Sequence, residues 1–200
     1  MERRELSLRD RKRQVVRTEV MEVAIDLFLR DGYEAVTVDQ IASAAGLSPR
    51  SFFRYFTGKE AVFTQMIDDT GSAIAHRLEA RPSHEDPWLA LRRSFDEVIE
   101  MLDDPGRSLP TMRLIYDTPV LYGGHLRKQA QWNELLTAAL TSRSATTPSD
   151  DQRLRAGALA AAAVSCFEYS RLEWVARDGG RSVGELLDLA MGAVHPLPDR

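Results

Sequence analysis

Apolar residues recur along most of this chain at three- and four-residue spacing, the period of a helix with one buried face. Over residues 10–30 the stripe is clear, with Val16, Val20, Val23, Ala24, Leu27 and Phe28 at i, i+4, i+7, i+8, i+11 and i+12. It ends at "RDGY", where Gly32 can take the left-handed backbone that closes a helix. A second, short helix is predicted over 37–45. Thr37 caps it, Gln40 completes a capping box, and Val38, Ile41, Ala42 and Ala45 form its inner face. Ser48 then Pro49 opens a third helix, to about Phe56. Serine is a favoured cap, and proline fits the first helical position because its missing N–H would have no partner there. A fourth helix is predicted from a Thr57 cap to about Arg81, with Glu60 closing another capping box.

Clusters of Pro, Gly, Ser and Asp punctuate the remainder: "RPSHEDP", "DDPGRSLP", "DTPVLYGG", "SRSATTPSDD" and "RDGGR". They separate helices at about 86–103, 110–117, 120–142, 150–177 and 183–194. The pattern therefore predicts an all-α chain of about nine helices, without a convincing strand.

Composition agrees with a globular helical protein: 44% of the 200 residues are hydrophobic and 28% charged. No apolar run approaches the ~18 residues of a membrane span, so no membrane partner is expected. The opening "MERRELSLRDRKRQ" lacks the apolar core of a secretory signal. Cys166 is the single cysteine and excludes an intrachain disulfide, which fits a reducing compartment; a cytoplasmic location is expected. The formal charge of −4 is unevenly spread. Residues 1–60 hold 11 Lys/Arg against 10 Asp/Glu, the rest 15 against 20, and residues 1–17 alone hold seven against three. The first segment can present a basic surface while the remainder repels a polyanion.

The stretch "GLSPRSFFRYFTGKE" over 46–60 carries the most specific chemistry. Gly46 tolerates positive φ and Leu47 supplies an apolar plug, which makes the second and third helices a helix-turn-helix. Phe52 and Phe56, at i and i+4, point inward. Arg50, Ser51, Arg54 and Tyr55 are left on or near the outer face. Such a face suits a DNA major groove: arginine can chelate guanine O6 and N7, while hydroxyls reach phosphate. Phe53 either packs or touches a thymine methyl or sugar. Lys59 lies in a first helical turn, where a cation opposes the helix dipole at a cost of ~0.3–1 kcal/mol, so a nearby anion such as a DNA phosphate would explain it.

With these residues in view, "AVTVDQIASAAGLSPRSFFRYFTGKEAVF" resembles the DNA-binding segment of the TetR family of transcriptional regulators, over roughly residues 14–66. The resemblance implies an all-helical homodimer with a DNA-binding domain over 1–58 and a ligand-binding and dimerisation domain over 59–200. It places DNA contacts on Thr37, Ser48, Arg50, Ser51, Phe53, Arg54, Tyr55 and Lys59. Phe53 departs from the tyrosine common there, so no hydroxyl is available to phosphate at that position. The partners implied are a pseudo-palindromic double-stranded operator, a second copy of the chain and a small-molecule effector; no other cofactor is expected. The function expected is a ligand-responsive regulator, a repressor released from its operator by the effector.

The later helices are less specific. Gly157, Ala158, Ala161, Ala162 and Ser165 permit close approach of another helix, within the subunit or across a two-fold axis. Phe63, Met66, Met101, Met112, Tyr116, Trp132, Phe167 and Tyr169 either line an effector cavity or are plain core. "MRLIYDTPVLYGGHLRKQAQWNELL" resembles a branch of the family with hydrophobic or acyl-CoA-like effectors. In that branch Arg113, His125 and Arg127 would meet an anionic head group; surface or interhelix ion pairs are the alternative. No enzyme is expected. The four histidines are scattered without metal-ligand spacing, Cys166 has no nearby histidine, and no phosphate loop or serine elbow occurs.

Overall fold

The computed structural model describes residues 7–102, 104–143 and 147–197, without the side chains of Asp10, Met66 and Arg107. Among these residues there is no strand. The helices are α1 (Leu8–Asp31), α2 (Val38–Ala44), α3 (Pro49–Phe52), α4 (Lys59–Ala80), α5 (Pro87–Ser94), α6 (Asp96–Leu102), α7 (Pro105–Asp117), α8 (Pro119–Ser142), α9 (Asp150–Ala176) and α10 (Val183–Val194). α5 and α6 follow one another across Phe95 and together fill the single helix expected over 86–103, so the reading of about nine helices stands. No helix among the described residues is long and apolar enough to cross a membrane.

The chain divides into two compact units: one of Met1–Met66 with Leu114–Gly124, the other of Ile67–Arg113 with His125–Arg200. In the first, α1 packs on α2 and α2 on α3. The stripe of α1 is buried through Val20, Ala24, Leu27 and Phe28, while Val16 and Val23 lie half-buried at its edge. Phe28 meets Tyr33 at 5.0 Å and Phe63 at 5.4 Å between ring centroids. Ile41 and Ala42 of α2 are fully buried, and Phe52 and Phe56 close the core 5.4 Å apart.

Local chemistry sets the ends of these short helices. Thr37 caps α2 in the expected box: its N–H donates to Gln40 Oε1 at 2.8 Å and its Oγ1 accepts from the Gln40 N–H at 3.3 Å. α2 stops in a Schellman turn. Gly46, at φ 67°, donates to the Ser43 carbonyl, and the Leu47 N–H reaches the Ala42 carbonyl at 2.8 Å. Ser48 then caps α3, accepting from the Ser51 N–H at 3.1 Å.

Three boundaries differ from the sequence reading. α3 is one turn long, and residues 53–55 continue as a tighter turn in which Tyr55 N–H bonds to Phe52 O at 2.8 Å. That tightening brings Phe56 back onto Phe52. α4 opens at Lys59, one residue later than a Thr57 cap would give. α7 begins at Pro105 and passes through Pro110, so six of the eight residues of "DDPGRSLP" are helix rather than loop. Proline at the first position fits without loss there, as at Pro49 and Pro87.

In the second unit α9 packs along α10, α5 rests on both, and α6 touches α5 and α10. Trp88, Leu91, Phe95, Phe167, Trp174 and Leu187 are fully buried. Phe95 stacks on Phe167 at 4.7 Å, and Trp132 lies 6.3 Å from Phe167. Ser149 and Gln152 form a capping box at the start of α9. α9 ends in a second Schellman turn, with Asp178 at φ 54° and the Gly179 N–H on the Trp174 carbonyl.

Candidate functional site

The capped α3 turn presents two chemically opposed sides. Phe52 is wholly buried and Phe56 nearly so, whereas Arg50 and Arg54 are exposed and Ser51 and Tyr55 half-buried. Arg50 has no hydrogen bond or ion pair among the described residues. Arg54 sends its guanidinium over the Tyr55 ring at 5.6 Å. Phe53 is 56% exposed and meets Phe52 edge-on at 5.7 Å. An apolar ring held at the surface by its buried neighbour is available to a sugar or a thymine methyl. Thr37 and Ser48 are exposed, and both hydroxyls are occupied as helix caps; Ser48 Oγ also donates to Ser51 Oγ at 3.0 Å.

Lys59 is engaged elsewhere. Its ammonium donates to the carbonyls of Tyr33 at 2.7 Å, Val36 at 3.1 Å and Glu34 at 3.4 Å, and lies 4.3 Å from the centre of the Tyr33 ring. Main-chain carbonyl dipoles, in place of an anion, thus offset its unfavourable helix position. The Tyr33 hydroxyl is pushed up to about 12 by burial, with the charges of Glu60 and Glu34 adding to it. Arg17 links α1 to α4 through Gln65 and lies 5.8 Å from the Phe56 ring.

The effector candidates fall into separate places. Phe63 and Tyr116 belong to the first unit; Phe63 stacks in its core, and Tyr116 meets Tyr122 edge-on at 5.7 Å. The Met66 side chain lies outside the described residues. Met101 and Tyr169 face solvent, at 57% and 73% exposure. Met112 is buried in the second unit. Trp132 is buried with its indole N–H on the Ile67 carbonyl at 3.1 Å, and its edge lines a cleft of about 410 Å3 with Asp68, Ser72 and Leu135. Arg113 pairs with Asp178, and Arg127 is exposed.

His125, Trp132 and Phe167 converge on a pair that the sequence reading missed, Glu168 and Arg171 of α9. His125 is 1% exposed, and its Nε2 lies 2.9 Å from Glu168 Oε2. Arg171 Nη2 stands 3.0 Å and Gln129 Nε2 3.2 Å from the same ring nitrogen, so the imidazole must choose between donating to the carboxylate and accepting from its neighbours. Arg171 also bonds to Glu168 and lies 4.5 Å from the Phe167 ring centre. Burial alone would raise the Glu168 carboxyl, but the His125 hydrogen bond and the Arg171 charge bring it down to about 2. Burial pushes the His125 imidazole down, favouring the neutral ring. Glu168 Oε1 and Arg171 Nε are both buried without a hydrogen-bond partner among the described residues. The available signal was a charged pair at i and i+3 on the face of α9 that also carries Val164 and Phe167. Cys166 is buried, and burial raises its thiol.

Known proteins agree with this architecture. The chain matches the family described as bacterial regulatory proteins, tetR family, over residues 20–66 and the MftR C-terminal domain over 85–196. It is 34% identical to the HTH-type transcriptional regulator TcmR of Streptomyces glaucescens over 74% of this chain and 69% of that one. It is 30% identical to MftR of Mycobacterium tuberculosis, a regulator named for mycofactocin biosynthesis, over 95% and 94% of the two chains. FadR of Bacillus subtilis, solved in complex with stearoyl-CoA, shares the fold at a TM-score of 0.59 and 16% identity, covering 90% of this chain and 98% of that one. On these matches and the helix-turn-helix that Gly46 and Ser48 build, the chain belongs to the TetR family of transcriptional regulators.

Proposed function

We propose that the protein is a repressor whose α3 residues read a pseudo-palindromic operator and whose C-terminal region releases it when a small molecule binds. The observation that carries this reading is the exposed Arg50, without an ion pair among the described residues, on a turn whose other side is locked by Phe52 and Phe56. Residues 1–58 serve as the DNA-binding domain and 59–200 as the effector and dimerisation domain. Arg50 and Arg54 face base edges, with Thr37, Ser48, Ser51, Phe53 and Tyr55 at sugars and phosphates. Lys59 holds the α1–α2 turn in place and offers phosphate its backbone N–H at the start of α4. The chain is a regulator rather than an enzyme and works in the cytoplasm.

Two copies would place α3 in successive major grooves, ~34–36 Å apart. The exposed apolar residues of α9 and α10, Leu154, Tyr169, Leu189 and Val194, support a homodimer through these helices. A hydrophobic or acyl-CoA-like effector is supported by the stearoyl-CoA bound to the FadR relative. Its polar group would approach the pair of Glu168 and Arg171 beside His125, Trp132 and Phe167.

The test begins by selecting genomic DNA fragments with purified protein. Arg50→Ala and Arg54→Ala should each cost ~1–3 kcal/mol on the selected fragment and relax its sequence preference. Unchanged affinity in both variants would refute their role. Titration with acyl-CoAs should release the fragment, and indifference to the whole series would remove that effector class.

A further inference from the structure

We propose that a groove beside the first turns of α1 is a second DNA contact, a phosphate track that extends the interface past the base pairs read by α3. Arg9, Lys12 and Arg13 stand at i, i+3 and i+4 on one face of α1 and form one wall. Arg54 and Tyr55, from the turn after α3, form the other. Four cations thus line one groove, and no acidic side chain among the described residues joins them.

Arg9 and Lys12 are exposed and make no ion pair among the described residues. Arg13 donates to the Arg54 carbonyl at 3.4 Å, which draws the α1 wall toward the reading turn. Clustered cations repel one another in the free protein, in a chain whose net charge is −4. An anion seated among them reverses that repulsion. The polyanion is DNA because the groove is continuous with the proposed reading surface: Arg54 belongs to both. A duplex whose bases meet Arg50 has its flanking backbone next along this surface. Such contacts position the protein without reading sequence.

This inference rests on the DNA-binding reading, and the experiment separates the two. The full chain and its Arg9→Gln/Lys12→Gln/Arg13→Gln variant are titrated on the selected fragment and on an unrelated duplex, over a potassium chloride series. The variant should bind both duplexes more weakly by the same factor. The slope of log affinity against log salt should fall by about 0.9 for each phosphate that the variant no longer neutralises. Preference for the selected fragment should be unchanged. A charge-conserving Arg9→Lys/Arg13→Lys variant should keep the wild-type slope, which separates loss of charge from loss of structure.

A triple variant with wild-type affinity and slope, while Arg50→Ala still loses the fragment, would overturn the groove and leave the reading surface intact. Weakening confined to the selected fragment would also overturn it, because the residues would then read bases. Vesicles of 1:4 phosphatidylserine and phosphatidylcholine that bind wild type but not the triple variant, with DNA slopes equal, would assign the groove to lipid instead. If the wild type bound no duplex at all, both readings would fall together.

Discussion

Several arginines of the two units are held in opposite ways. In the second unit guanidinium groups are consumed by carboxylates: Arg81 and Arg93 share Glu85, Arg92 bonds to both Asp96 and Asp188, and Arg171 bonds to Glu168. Arg92 and Arg171 are themselves buried. In the first unit Arg9, Lys12 and Arg50 stand in solvent without an ion pair among the described residues. A buried charge must be matched inside the protein, because losing water costs more than any single interaction returns. An exposed charge needs no such match and stays available to a partner. The buried cations are therefore committed to the fold, and Arg9, Lys12 and Arg50 are not.

Removing one member of a buried pair tests this contrast most severely. Glu168→Ala leaves the Arg171 charge enclosed, and equilibrium urea unfolding should show a loss of about 3–5 kcal/mol. A loss below about 1 kcal/mol would mean that water reaches the pair and that the contrast is false. Gly71→Ala comes next. A Cβ at Gly71 would run into the Trp132 indole, so the ring must leave its bond to the Ile67 carbonyl. Overpacking of this kind costs about 1–3 kcal/mol, and tryptophan fluorescence should shift with it.

Acidity probes the same cluster from another side. The folded value of His125 is depressed below 6.5, so its contribution is present above that pH and is lost as pH falls through the lower folded value. Glu168, depressed from 4.5 to about 2, adds a further loss only between those values. The free energy of urea unfolding should be level near neutrality and decline below pH 6.5, with a slope of at most about 1.4 kcal/mol per pH unit from the imidazole. His125→Gln should flatten the upper limb. Ser48→Ala removes the cap of α3 and should cost about 1 kcal/mol in denaturant. Arg50→Ala should alter folding stability by less than about 0.5 kcal/mol while it impairs DNA binding, the smallest stability effect in the series.

What the sequence made legible follows from the range of the forces involved. Thr37 with Gln40, Ser48 with Pro49, and Gly46 each act within a few residues, and each is readable as a helix end. Phe52 and Phe56 follow from period alone. The break at Phe95 and the start of α7 at Pro105 are not readable, because Pro105 and Pro110 fit helix openings equally well and packing made the choice. His125 stands out in the sequence, but Glu168 and Arg171 lie 43 and 46 residues from it, and no local pattern joins them. Lys59 shows only that a cation stands against the helix dipole. Its acceptors are carbonyls, which every residue carries and no sequence marks.

Because Lys59 holds the α1–α2 turn by its peptide oxygens, the grip is indifferent to which residues occupy positions 34 and 36 as long as the chain path persists. Only Tyr33, whose ring lies beside the ammonium, contributes through its side chain. The amine therefore constrains the path of the turn, while its composition is constrained by packing at Tyr33 and Val36, both buried, and by the positive φ of Gly32.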